Sequence, residues 1–160
     1  MYLVRRMQPR DAPAILRLTR EAIENSVYDV SAYSAKRIIT QLVQAIDLPN
    51  VYLGLVGERD GEVVGLKYAC ATLCFYTDNV VCWDLATYVT PKARAFALTY
   101  KFVQEYKRWA ISIGAKELYL GSTSRPENAR IGQLFTRLGF KPAGSLHVME
   151  LDNGQRLAAD

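Results

Sequence analysis

The residues best placed to do chemistry gather at one junction. The β-branched, apolar run VVCWDLATYV (80–89) passes through PKARAF into a helical pattern that starts at about Ala97. A strand feeding a helix N-terminus presents unsatisfied backbone N–H groups and a partial positive charge to the space in front of it. Such a place suits a pyrophosphate, and Lys92 and Arg94 add positive charge beside it. An ordinary strand-to-helix connection with solvated basic residues would carry the same pattern.

Other reactive side chains read as structural. Cys70, Cys74 and Cys82 fall in apolar, strand-like sequence, and no second Cys or His cluster completes a zinc set. Reduced, buried thiols are expected, with no metal and no disulfide. His147, the only histidine, lies in the last strand-like segment and reads as a packed or surface residue. Arg5, Arg6 and Arg10 read as a solvated face, and Trp83 and Trp109 as core.

The chain that positions these residues has 160 residues, 50% hydrophobic and 22% charged, which excludes disorder and collagen-like repeats. One domain over residues 1–151 is expected, followed by a short tail, 152–160, with nothing to bury. The 20 Lys and Arg exceed the 16 Asp and Glu by 4 and are scattered, whereas duplex binding concentrates its basic residues. Nucleic acid is therefore not the expected ligand. No apolar run reaches the roughly 20 residues of a membrane span. The opening MYLVRRMQPRD reads as a strand entering a helix and not as a secretory leader, so a cytoplasmic protein is expected. A homodimer is left open.

Periodicity orders the elements. Tyr2 to Met7 alternates as a strand, Asp11 is placed to cap a helix, and Ile15, Leu18, Ala22 and Ile23 recur at helical spacing. SVYDVSAYS is a loop, and Ile38, Ile39, Leu42, Val43 and Ile46 mark a second helix that ends before Pro49. VYLGLVGE and VVGLKYACATLCFY form a hairpin about RDGE, and strand 80–89 follows. A long helix to Ile113, the strand KELYLGS, a helix from Asn128 to Leu138 and a strand from Gly144 to Leu151 complete the chain. The fold class is α/β with a mixed sheet (α+β), in the order β-α-α-β-β-β-α-β-α-β.

This order, over about Tyr2 to Leu151, resembles the GNAT acyltransferases, the Gcn5-related N-acetyltransferase superfamily. The specific motifs lie between Tyr88 and Phe140: YVTP at the strand end, RAFALT at the phosphate loop, RWAISIGA in the long helix, KELYLG, and NARIGQLFTRLGF. The resemblance implies transfer of an acetyl group from acetyl-CoA to a primary amine of a small molecule or peptide, by direct attack in a ternary complex. It assigns coenzyme A contacts, largely through the backbone, to Val89, Arg94, Ala95, Phe96, Ala97, Leu98 and Thr99, and matches Asn128 to a recurrent family asparagine. The pantetheine arm is expected between strands 80–89 and 117–122. SVYDVSAYS, with Tyr28 and Tyr33, is expected to border the acceptor pocket.

Two departures bear on the chemistry. Ala97 and Thr99 stand at loop positions that are usually glycine, where a small residue admits the phosphates. Phe135 stands where many members carry the tyrosine that protonates the departing thiolate. A thiol with a pKa of about 8.5 leaves tolerably as the anion, whereas a general acid is worth about 10² to 10⁴ in rate. Tyr88 and Tyr119 are the alternative donors. An attacking amine that titrates near about 10.4 must first lose a proton. Asp84 is the expected acceptor, weighed against a structural ion pair, with Glu24 and Asp29 as alternatives. Asp84 and Tyr88 are thus the candidate catalytic residues. The departures also support a second expectation, a catalytically silent fold that binds CoA or a protein.

Overall fold

Alternating apolar residues and one tight turn account for the sheet. The computed structural model describes residues 1–93, 96–121 and 128–144. Its strands are β1 (Tyr2–Arg6), β2 (Tyr52–Arg59), β3 (Glu62–Leu73), β4 (Val80–Val89) and β5 (Glu117–Tyr119). They lie side by side in that order, antiparallel except for the parallel pair of β4 and β5. At the β2–β3 turn Asp60 and Gly61 take φ of 53° and 84°, the two positive values that a tight Asp-Gly hairpin needs. The strand expected from Gly144 to Leu151 lies, beyond Gly144 itself, outside the described residues, as do the tail 152–160 and His147.

Four α-helices, α1 (Ala12–Glu24), α2 (Ala35–Asp47), α3 (Phe96–Ser112) and α4 (Asn128–Arg137), fall where the periodicity places them. Ile15 and Leu18 of α1 and Leu42 of α2 pack with Met7, Val56, Leu66 and Tyr88 on one face of the sheet. Leu98, Phe102, Tyr106 and Trp109 of α3 pack with Leu55, Ala69 and Cys82 on the other. The approach of α3 to β2 is close enough to require glycine. A Cβ on Gly57 would lie 2.7 Å from Leu98 Cδ1 and 2.9 Å from Phe102 Cζ. Among the described residues no helix is long and apolar enough to cross a membrane.

Four sequence expectations are corrected. Asp11 precedes α1 but its side chain makes no bond to that helix's amides. It accepts bonds from Arg5 Nη1 and Nη2 at 2.7 and 2.8 Å and from the Gln8 N–H at 2.8 Å. Arg5, read as solvated, is instead mostly buried, its Nε also bonding Glu58 Oε1 at 2.8 Å. The Arg5 guanidinium holds the Asp11 carboxyl below the usual carboxylate range. Trp83, read as core, is 43% exposed, because its side chain falls on the less covered face of β4. Trp109 is buried as expected. Of the thiols, only Cys82 is fully buried, with its pKa pushed up to about 11 by burial, while Cys70 and Cys74 are partly exposed.

Candidate active site

As an interior strand between β3 and β5, β4 should be covered along its length, yet Leu85, Ala86 and Thr87 are exposed. Two breaks in the hydrogen-bonded ladder coincide there. Among the described residues the parallel pairing with β5 spans Val81, Cys82 and Trp83, opposite Glu117, Leu118 and Tyr119. On the other side Tyr68 pairs with Ala86 and Ala69 with Asp84, so Leu85 is an extra residue in β4, a β-bulge. Past Trp83 the β4 edge that faced β5 therefore offers the backbone of Asp84–Thr87 to an extended group lying in the gap. Trp83 and Tyr119 stack at the point of separation, with ring centroids 4.2 Å apart and planes 11° from parallel.

On the α3 face beneath the bulge lies Lys67, whose side chain is 1% exposed. Its ammonium donates to Asp84 Oδ1 at 2.8 Å and to Thr87 Oγ1 at 3.0 Å, and faces the Tyr106 ring with 4.4 Å to the centroid. The Thr87 hydroxyl donates in turn to Asp84, at 2.9 Å to Oδ1. Burial lowers the Lys67 pKa, and the charge of Asp84 opposes that shift. The carboxylate of Asp84 is thus an ion-pair partner. The structural alternative weighed for it is the one that the geometry supports.

Tyr88, the other candidate catalytic residue, faces the opposite side of β4. Its ring packs in the core beneath α1 and its hydroxyl donates to Glu21 Oε2 at 3.3 Å. Asp84 and Tyr88 therefore do not converge on one proton-transfer centre. Glu24 pairs with Arg20 at 3.8 Å. Asp29 caps a 3₁₀ turn through the Ser31 N–H at 2.8 Å, and its bonds to Ser31 hold its pKa down. The Tyr119 hydroxyl donates to Glu117, which raises the tyrosine pKa. Tyr28 is exposed, while the Tyr33 hydroxyl is held on α1 by Thr19 and the Leu16 carbonyl. Phe135 lies on α4 with its ring 6.3 Å from that of Phe140.

The junction expected from the sequence to receive an anion lies at the start of α3. Phe96 and Ala97 are exposed there, Thr99 is half-buried and Leu98 is in the core beside Val89. Ala97 and Thr99 lie within the helix and at negative φ, so neither needs the conformational freedom of glycine. The preceding turn, Pro91–Ala93, is pinned to the sheet: the Lys92 carbonyl accepts from Arg59 at 3.1 Å and the Ala93 carbonyl from the Tyr2 hydroxyl at 3.3 Å. Arg94 and Ala95 lie outside the described residues, and Asn128 is the first residue of α4. Sequence reasoning missed Lys67, Thr87 and Glu21. A single lysine inside the apolar run of β3 was the available signal for the first of these.

No protein-family model matches the chain, and no curated protein matches it. Solved structures do. Glucosamine-6-phosphate N-acetyltransferase from Arabidopsis thaliana superposes with a TM-score of 0.74 at 11% identity, covering 95% of this chain and 99% of that one. Ribosomal-protein-alanine N-acetyltransferase from Brucella melitensis gives 0.73 at 16% identity, over 95% and 100%. AAC(6′)-Iy, solved with the bisubstrate analogue CoA-S-monomethyl-acetylneamine, gives 0.70 at 15%, over 95% and 99%. The chain has the GNAT acetyltransferase fold, with its mixed sheet and helices. At these identities the likeness carries the architecture.

Proposed function

We propose that this protein is a GNAT-type N-acyltransferase that moves an acetyl group from acetyl-CoA to a primary amine within a ternary complex. The observation that carries the reading is the opening between β4 and β5, beginning at the bulge and leading toward the first turn of α3. Two observations support a fit to coenzyme A. An extended pantetheine can pair with the β4 edge at Asp84–Thr87, and the first turn of α3, with Lys92 in the turn before it, can receive the pyrophosphate. Ala97 crowds it little. Bound acetyl-CoA would supply an activated thioester.

The remaining work falls to the chain. Backbone N–H groups of β4 beyond Trp83 stabilise the negative charge that develops on the carbonyl oxygen. Glu21, whose carboxylate accepts the hydrogen bond of the Tyr88 hydroxyl on the α1 face, is the group proposed to take the proton from the amine, directly or through water. Thiolate departs without the usual tyrosine, since Phe135 carries no proton to give. Its turnover is accordingly expected to be slower than with a general acid.

Thermal unfolding with and without acetyl-CoA tests the reading, with ATP at equal concentration as the polyanion control. At 100 times its dissociation constant the ligand should add about 2.7 kcal/mol of stability. A shift specific to acetyl-CoA is expected, and none at any accessible concentration would overturn the reading. Phe135 favours a second reading, a silent fold that binds CoA. Binding without release of free thiol across a panel of amines would select it.

A further inference from the structure

We propose that Lys67 is a positioning residue that locks the β4 bulge into the register the cleft needs; its catalytic consequence rests on the acyl-transfer reading above. On a regular strand, residues three apart face opposite sides. Asp84 and Thr87 are three apart, yet both meet Lys67, at 2.8 and 3.0 Å, because the extra residue Leu85 lies between them. Were the bulge flattened with Thr87 still opposite Lys67, Asp84 would come opposite Cys70 and turn to the α1 face. A buried ammonium would then be left without its anion. The bulge and the ion pair are each satisfied only in the presence of the other.

A buried ion pair adds little net stability over well-packed apolar residues of the same size, and its best-attested use is to fix register. Here the register being fixed is that of Leu85–Thr87, the exposed backbone at the mouth of the opening. Sub-ångström placement of N–H donors is what oxyanion stabilisation depends on. Tyr106 closes the arrangement from α3, with its ring facing Nζ and its hydroxyl donating to the Tyr119 carbonyl of β5 at 3.2 Å. One helix residue thereby touches both sides of the cleft.

Lys67→Met alone strands the Asp84 carboxylate and threatens folding, so the test uses Lys67→Met with Asp84→Leu, which removes both charges at similar volume. The register is read by NMR from backbone contacts between Ala69 and its β4 partner, independently of any activity. The parent should show one set of signals at residues 84–87 with Ala69 opposite Asp84. The double variant should show a second set or a shifted partner, and its kcat for acetyl transfer should fall about 100-fold, the scale of one lost oxyanion donor, with KM for acetyl-CoA changed less than about two-fold. An unchanged register overturns the proposal, as does a parental kcat in a variant whose register has moved. If the parent itself releases no thiol from acetyl-CoA, the acyl-transfer reading fails, and the NMR comparison alone decides whether Lys67 sets the bulge.

Discussion

Two charged clusters brace the sheet, one across the unshifted β1–β2 pair, although its Glu58 also borders a β2–β3 bulge, and one across the shifted β3–β4 pair. Arg5 joins Asp11 and Glu58 across β1 and β2, whose five pairs run without a shift. Lys67 joins Asp84 and Thr87 across β3 and β4, at the bulge. The first cluster uses the planar five-donor guanidinium, bidentate on Asp11 and still partly hydrated, with Arg5 19% exposed. The second uses a three-donor ammonium with almost no access to water, at 1%. A partly hydrated cluster adds to a structure that its ladder already specifies. A dry one makes the local structure conditional on itself, because any other register leaves a charge with nowhere to go.

The comparison can be broken from the dry side first. Asp84→Ala leaves Lys67 uncompensated and should cost about 3–5 kcal/mol, read as a lowered urea midpoint. Asp11→Asn, which leaves a partly hydrated Arg5 still paired with Glu58, should cost less, about 1.5–3 kcal/mol, the range for bonds to charged groups. The pH dependence sharpens that contrast. Arg5 depresses the folded pKa of Asp11, so its contribution is complete above the unfolded value of about 3.9 and is lost as pH falls through the lower folded value. The stability gap between parent and Asp11→Asn should therefore close as pH drops below about 4, and a gap that widened there would contradict the assignment. Smallest of all is Asp60→Asn, which removes two exposed pairs, with the amino terminus at 3.1 Å and with Arg59 at 3.7 Å, and should move stability by no more than about 0.5 kcal/mol.

What could be read ahead of the structure divides along the same line. Local rules carried the β2–β3 hairpin, whose Asp60-Gly61 turn is visible as a dipeptide, and α1 through α4, whose apolar spacing is periodic. They failed where a partner lies far along the chain. Asp11 has the right type for a helix cap, but Arg5 and the Gln8 amide claim it, and Glu58, fifty-three residues from Arg5, completes the cluster. The passage from β4 through a turn into α3 was legible because strand-to-helix sequence encodes it directly. Nothing in VVCWDLATYV announces the bulge at Leu85, which sets Asp84 and Tyr88 on opposite faces of β4. The one clue was chemical: a lysine amid Val63–Leu73 requires a buried anion, and Asp84 is an acid in the strand beside it.

The two tryptophans give the molecule a built-in optical division of labour. Trp109 is buried in the core of the α3 face, its indole N–H donating to the Pro49 carbonyl in the loop after α2 at 2.7 Å, so its emission should be blue and slow to respond to a dissolved quencher. Trp83 lies half in water against the Tyr119 ring, where the strands part. Its emission should be redder and open to collisions. Light from the second indole thus reports the state of the opening while the first keeps a constant reference from the core.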